Sequence, residues 1–176
     1  LFLQKMLSKD QISDIYRQFS PEIYRYLYKL THSTDTSEDL LQEVFEKFIG
    51  YTAEKEIQED KYRAFLYKTA HNLSVNYLIK QNRDHPGCLH EMEESLKTED
   101  TYLDRLMLDD LNRAIYRILE TLDPESRSIF IMHKEDGMHY DEIADTLSLS
   151  ARTVRRRIKN VLDILYTELK KDGFLT

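Results

Sequence analysis

Residues 141–162 read DEIADTLSLSARTVRRRIKNVL and contain two short helical segments with a turn between them. The first, 141–147, has an amphipathic pattern, and Ser148-Leu149-Ser150 separates it from the second, which begins at Ala151. The Ser150 hydroxyl can accept a free backbone N–H of the second helix and so cap it. This spacing predicts a helix-turn-helix.

The second helix of this motif has one apolar and one basic face. At 100° per residue, Ile158, Val161 and Leu165 lie within about 40° of Val154 and predict the core side. The other side and its flank are basic and, with Thr153, are the predicted DNA contacts: Arg152, Thr153, Arg155, Arg156, Arg157 and Lys159. Guanidinium groups can bond guanine edges or phosphates in bidentate fashion. A solvated charged face is the alternative, and the capped turn before it favours DNA.

Helical periodicity extends over most of the remaining chain. It predicts helices over 10–32, with a break at Ser20-Pro21, then over 38–51 after a cap at Thr36, 62–82, 103–122 and 125–134. Between Asp84 and Asp100 the pattern is lost, Pro86-Gly87 breaks structure and acidic residues accumulate. We therefore predict an all-α protein with two small helical domains, 8–84 and 102–172, joined by a flexible linker over 85–101.

Composition narrows the class of protein further. The net charge is −7, which repels nucleic acid over the chain as a whole, and the one cysteine, Cys88, cannot form an internal disulfide. A reducing, cytoplasmic location is the expectation, with no membrane insertion. We find no phosphate loop and no nucleophile–His–acid set, so we expect no enzyme and no cofactor. His85, Cys88 and His90 lack a fourth ligand, and we expect no metal site there.

The helix predicted over 38–51 has an acidic face opposite its apolar one. Leu41, Val44, Phe45 and Phe48 define the apolar face, and the exposed stripe consists of Asp39, Gln42, Glu43 and Glu46. Such a stripe repels DNA and suits a basic protein surface. An ordinary solvated helix face is the alternative that composition alone favours.

Together these segments resemble the extracytoplasmic-function group of the sigma-70 family. SEDLLQEVF (37–45) is similar to region 2.2 of that family, and YRAFLYKTAHNL (62–73) to regions 2.3 and 2.4. LDPESR (122–127) begins a segment that resembles region 4 and ends on the helix-turn-helix. The resemblance covers nearly the whole chain in two blocks.

The resemblance implies a role for each surface. The acidic stripe would bind core RNA polymerase, and region 4 would read the −35 element of promoter DNA through the basic face. The −10 element would be read by residues of the helix over 62–82 and the loop before it, with candidates Arg63, Tyr67, Lys68, His71 and Asn72. An anti-sigma factor is a further implied partner, and we expect a monomer when the protein is free.

Three departures from the family pattern affect details. The loop over 52–60, which captures an unpaired promoter base in the family, is strongly acidic here. Ser148 stands where the turn usually has Gly, and His139 where a Ser or Thr cap is usual.

A stand-alone helix-turn-helix regulator is the alternative function, and it predicts a dimer that binds a palindrome.

Overall fold

The computed structural model describes residues 7–84 and 102–175, and the chain within these ranges is helical without strands. The all-α prediction is confirmed. The predicted linker over 85–101 lies outside the described residues. The helices are α1 (Lys9–Thr31), α2 (Thr34–Glu54), α3 (Tyr62–Asp84), α4 (Tyr102–Glu120), α5 (Pro124–Lys134), α6 (Tyr140–Leu147) and α7 (Ala151–Lys171), with a 3-10 turn over Glu59–Lys61 before α3.

α1 is one continuous helix, so the predicted break at Ser20-Pro21 is wrong. Pro21 lies inside the helix, where it removes a backbone N–H and crowds the preceding turn at a cost of about 3 kcal/mol. Phe19 and Ile23 on either side of it are both buried. Their packing on a shared face outweighs the local penalty. A prediction from neighbouring residues alone does not include this packing.

α2 begins earlier than its capping pattern predicts. Ser33, not Thr36, is the N-cap, and its hydroxyl accepts from the Thr36 N–H at 3.3 Å. The helix then continues to Glu54, so the first residues of the predicted loop over 52–60 are helical. Thr52 is buried there, and its hydroxyl donates to the Ile49 carbonyl within the helix.

α3 is the central helix of the fold, because it contacts α1 and α2 on one side and α5 and α6 on the other. Hydrophobic periodicity over 62–82 predicts one apolar stripe, and its members Leu66 and Ala70 are buried. The full stripe is Tyr62, Phe65, Leu66, Thr69, Ala70, Leu73 and Tyr77. A second set, which that stripe did not include, is also buried: Tyr67, His71, Ser74, Val75 and Leu78. The helix therefore has two buried faces, and one of them is partly polar.

The second half of the chain folds around the helix-turn-helix. Asp123 caps α5 by accepting from the Ser126 N–H at 2.9 Å, with Pro124 in the first turn. The buried residues of α5, α6 and α7 join those of α1, α2 and α3 in one continuous apolar cluster. The two halves, predicted as separate domains, are thus packed directly against each other.

Candidate DNA-binding and polymerase-binding surfaces

The turn of the helix-turn-helix has the geometry that its spacing predicts. Ser148 adopts the left-handed conformation (φ 58°) although it is not glycine, and its N–H is bonded to the last carbonyls of α6. Ser150 caps α7 by accepting from the Thr153 N–H at 3.1 Å. His139 precedes α6 without a side-chain capping bond. The motif therefore keeps its turn without the glycine that such turns favour.

The two faces of α7 lie as predicted, the apolar one toward the core and the basic one toward solvent. Val154, Ile158, Val161 and Leu165 are buried against the rest of the second half. The exposed basic residues form what we call the basic face: Arg152, Arg155, Arg156 and Lys159. Arg155 also lies over the ring of Tyr140 at 5.7 Å. These four cations are available to an anionic partner.

Arg157 and Thr153, which the sequence groups with this face, have partners inside the protein. The Arg157 guanidinium donates to Asp123 at 3.3 Å and to Ser126 at 3.1 Å, and it is ion-paired with Glu125. The Thr153 hydroxyl lies 2.8 Å from that of Ser150. Arg157 thus connects α7 to the start of α5, and the structure suggests a packing role for it.

The acidic stripe of α2 is exposed as expected. Asp39, Gln42 and Glu46 are exposed and Glu43 is half-buried. Gln42 donates to Glu46 at 2.8 Å, and Glu43 pairs with Lys47 at 3.4 Å. These residues line a shallow, open depression, so the stripe presents carboxylate and amide groups to a partner.

A groove of about 310 Å³ lies beside the acidic loop that precedes α3. Lys55 is the cation among its lining residues, and Glu56 and Glu59 line it as well. The remaining lining residues are Leu7, Gln11, Thr52, Ile57, Gln58 and Tyr62. The structure thus brings the start of α1 next to this loop, a neighbour that the sequence did not indicate.

The five −10 candidates are on α3, and four of them touch or lie beneath the second half of the chain. Arg63 is ion-paired with Glu142 of α6, and the Lys68 ammonium donates to the Ser148 hydroxyl at 2.9 Å. Tyr67 is fully buried and His71 is buried. Asn72, the fifth candidate, is exposed.

His71 belongs to a buried polar cluster between the halves. Its Nδ1 lies 2.6 Å from the Ser128 hydroxyl of α5, which lies 2.5 Å from the Tyr26 hydroxyl of α1. Burial lowers the pKa of His71 to about 4, and the Arg157 guanidinium adds to this effect. Burial also raises the pKa of Tyr26 far above its ordinary value. The imidazole and the phenol are therefore both neutral near pH 7.

Two more residues of α5 and its end complete the contact between the halves. Arg127 is buried and donates to the Leu30 carbonyl at the C-terminal end of α1. Burial raises the pKa of Asp136 to about 6, against the opposing influence of the Lys29 ammonium. The sequence patterns predict no role for Arg127, Ser128 or Asp136, because the partners of these side chains lie in helices distant in sequence.

Two features are absent from the described residues, 7–84 and 102–175. Those residues contain no cluster of His, Cys, Asp and Glu that could hold a metal ion. No helix among them is long and apolar enough to cross a membrane. His85, Cys88 and His90 lie outside the described residues.

Each half of the chain matches a family model of known proteins. The family model for sigma-70 region 2 matches residues 15–84, and the model for sigma-70 region 4 matches residues 112–163. The RNA polymerase sigma factor YlaC of Bacillus subtilis is 28% identical over 171 residues, which cover 95% of this chain and 94% of that protein. The ECF RNA polymerase sigma-E factor of Escherichia coli is 30% identical over 129 residues, 68% of this chain and 66% of that protein.

The chain belongs to the extracytoplasmic-function (ECF) group of the sigma-70 family. The ECF RNA polymerase sigma factor SigE of Mycolicibacterium smegmatis is 27% identical over 146 residues, which cover 82% of this chain but only 56% of that relative. The fold of this chain resembles that of the sigma factor RpoE from Bartonella quintana, solved in complex with the anti-sigma factor NepR, with a TM-score of 0.68. That likeness covers 93% of this chain and 98% of the other at 20% identity.

Proposed function

We propose that this sigma factor binds core RNA polymerase through the acidic stripe of α2 and directs promoter-specific transcription initiation. The observation that carries the proposal is the separation of charge. The stripe is anionic on one half of the chain, whereas the basic face of α7 is cationic and exposed on the other. The two surfaces fit different partners, a protein and DNA.

Each half then has its own task in the proposal. Residues 8–84 form region 2, which binds polymerase and reads the −10 element, and residues 102–172 form region 4, which reads the −35 element. Residues 85–101 link them. The side chains proposed for the −10 contact are Arg63, Tyr67, Lys68, His71 and Asn72. Those proposed for the −35 contact are Arg152, Thr153, Arg155, Arg156, Arg157 and Lys159, with Arg157 also packing against α5.

Other features of the proposal rest on similarity and on charge. The related RpoE of B. quintana binds an anti-sigma factor, and we extend such a partner to this chain. We place the protein in the cytoplasm as a monomer without enzymatic activity. With a net charge of −7, the isolated chain should bind DNA weakly, so polymerase must supply much of the binding free energy.

The stand-alone regulator is the less favoured function. It requires the first half of the chain to sense a ligand and the protein to dimerise on a palindrome. Residues 15–84 match sigma-70 region 2 instead, and a relative of nearly the same length is a sigma factor. Tight, promoter-specific binding by the protein alone, in a gel shift at physiological salt, would revive this alternative.

A pull-down and a start-site assay with core polymerase test the proposal. Core polymerase of B. subtilis is a suitable probe, since YlaC of that organism aligns over nearly the whole chain. The tagged protein should retain the core enzyme, and the complex should start transcription at defined positions on a pool of randomised promoter templates, read by sequencing of RNA 5′ ends. Absence of both results with this core and with that of E. coli would refute the proposed function.

A further inference from the structure

Arg155 differs from the other cations of the basic face because an aromatic ring supports its guanidinium. The guanidinium carbon lies over the ring of Tyr140 of α6, 5.7 Å from the centroid, within the range of a cation–π attraction. Within residues 7–84 and 102–175, the other three cations make no hydrogen bond, ion pair or ring contact; they are Arg152, Arg156 and Lys159.

Tyr140 is itself held in place by α5. Its ring packs against the imidazole of His133, with the ring centroids 4.5 Å apart and the planes at 33°. The His133 Nδ1 donates to the carbonyl of the buried Met138 at 2.8 Å, because a carbonyl can only accept, and this bond fixes the imidazole. Tyr140 is half-buried and packs against the apolar core. The surface beneath Arg155 is therefore set by the core of region 4.

Arg157, two positions further along α7, shows the effect of a different kind of partner. Its guanidinium donates to Asp123 and Ser126 and pairs with Glu125, so its N–H groups are used inside the protein. An aromatic ring attracts the charge of a guanidinium without a carboxylate's demand for its N–H groups. In the described part of the chain no carboxylate pairs with Arg155, so its side chain is supported while its donors stay available.

We propose that the ring of Tyr140 positions Arg155 to read the edge of a guanine in the −35 element. The inference rests on the proposed function, because it takes the basic face to contact that element. Arg155 lies in the second turn of α7, in the N-terminal part of the helix, where a recognition helix contacts base edges. Its paired N–H donors match the O6 and N7 acceptors of guanine. Arg155 is then the base contact, and Tyr140 is a positioning residue.

The ring matters more for reading a base than for attracting DNA. A bidentate bond to one base requires the guanidinium plane to be fixed, and an unsupported arginine side chain loses conformational freedom when it is fixed. A phosphate contact carries no sequence information and is less dependent on orientation. Loss of the ring should therefore reduce discrimination between bases and leave the salt dependence of binding nearly unchanged.

Selection of −35 sequences tests this role. The full-length protein with core polymerase of B. subtilis binds a pool of promoter templates randomised in the −35 region, and sequencing of the bound templates gives the base preference at each position. Tyr140→Leu removes the aromatic ring, and Tyr140→Phe keeps it. Tyr166→Leu is the matched control, since Tyr166 lies under Lys170 at 5.9 Å, about three turns further along α7. Circular dichroism controls for folding.

We expect one position at which the wild type prefers guanine and Arg155→Ala does not. Tyr140→Leu should reduce the preference at that position alone and weaken binding of the preferred template about two- to fivefold, the size of an exposed cation–π contact. Tyr140→Phe and Tyr166→Leu should keep the preference. An unchanged guanine preference in Tyr140→Leu, or an equal loss of preference at every position, would overturn the inference.

A double-mutant cycle on the preferred template gives a second measurement that is independent of any general loss of stability. Tyr140→Leu should have little further effect when Arg155 is already Ala, because the ring then has no guanidinium to position. It should have its full effect when Arg156 is Ala, since Arg156 has no contact with the ring. Additive effects of Tyr140→Leu and Arg155→Ala would contradict the positioning role.

The start-site assay separates failure of this inference from failure of the proposed function. If the wild type initiates transcription while Tyr140→Leu keeps the full guanine preference, the sigma function stands and the role of Tyr140 is refuted. If no version binds polymerase, the same pool is selected with the protein alone at low salt, where DNA binding is strongest. A guanine preference that depends on both Arg155 and Tyr140 would then support the positioning role and refute the sigma function, and its absence would refute both.

Discussion

The hydroxyl of Ser128 lies 2.6 Å from Nδ1 of His71, although the two residues are 57 positions apart in the sequence. The same hydroxyl lies 2.5 Å from that of Tyr26, so one serine of α5 connects to both α1 and α3. Ser128 has a single proton to donate, and therefore at least one of its two neighbours must donate to it. The contact between the halves thus includes a hydrogen-bonded chain that requires all three residues.

Ser128→Ala should lower the free energy of unfolding by about 1–3 kcal/mol, because it removes the partner of the buried imidazole and one partner of the buried phenol. Ser13→Ala is the control, since Ser13 is an exposed serine that accepts a hydrogen bond from Arg17. It should change stability by less than about 0.5 kcal/mol. Urea denaturation of both variants measures the difference, and equal midpoints would contradict the role of Ser128.

Stability should depend on pH through two opposing groups, and the first is His71. Its pKa of about 4 in the packed protein lies below the ordinary value of 6.5. The unfolded chain therefore binds a proton that the packed state does not, and His71 reduces stability as the pH falls from about 6.5 to 4. Arg157 is the charged group that acts on this imidazole.

Asp136 has the opposite effect on the pH dependence of stability. Its pKa is about 6 in the packed protein against 3.8 ordinarily, so the packed state binds the extra proton and gains stability as the pH falls from about 6 to 4. Asp136 is surrounded by Lys29, Glu22, Arg63 and the Tyr67 hydroxyl. The two dependences offset each other in the wild-type protein.

Substituting His71 or Asp136 alone should reveal the pH dependence of stability that the other group contributes. Asp136→Asn should become less stable, relative to wild type, as the pH falls from 6.5 to 5, whereas His71→Gln should become more stable relative to wild type from pH 6 to 5. Denaturation midpoints across this range measure both slopes. Parallel curves for the two variants would show that these groups do not titrate with folding.

The helix-turn-helix was predictable because its signals are local. The Ser150 cap and the spacing of Val154 and Ile158 depend on residues within a few turns of one another, and the structure confirms both. The exposure of the acidic stripe on α2 follows from the same periodicity. Such features need no knowledge of which helices pack together.

The contact between the halves was not predictable in this way. Tyr67 and His71 lie on a second buried face of α3 that contains polar side chains, and hydrophobic periodicity does not detect such a face. Pro21 shows the same limit in reverse, since a strong local breaker lies inside α1 where tertiary packing supports the helix. In both cases the deciding interactions come from elements distant in sequence.

Glu43→Lys should weaken binding of core polymerase while leaving the fold intact. Glu43 is in the middle of the acidic stripe, and its side chain pairs only with the exposed Lys47 among the contacts of the described residues. Reversing its charge opposes a basic partner surface. Asp14→Lys, an equal charge change at an exposed residue of α1, is the control. The affinity of each variant for core polymerase is the measurement. Equal affinities would show that the acidic stripe of α2 is not the polymerase-binding surface.

Arg155 and Arg157 are two positions apart on α7, and their substitution by Ala should have different effects. Arg155 is exposed, so Arg155→Ala should cost the polymerase complex about 1–3 kcal/mol of promoter affinity if the side chain reads a base, or reduce the salt slope by about one if it contacts a phosphate. Its effect on unfolding should be small.

Arg157→Ala removes the ion pairs with Asp123 and Glu125 and the hydrogen bond to Ser126, so it should destabilise the fold by about 1 kcal/mol. Its effect on the salt slope should be the smaller of the two. Promoter titrations at several salt concentrations, together with urea denaturation of each variant, test the contrast. If Arg157→Ala changes promoter affinity as much as Arg155→Ala and leaves stability unchanged, Arg157 leaves its carboxylate partners for DNA when the complex forms, and the packing role assigned to it here is wrong.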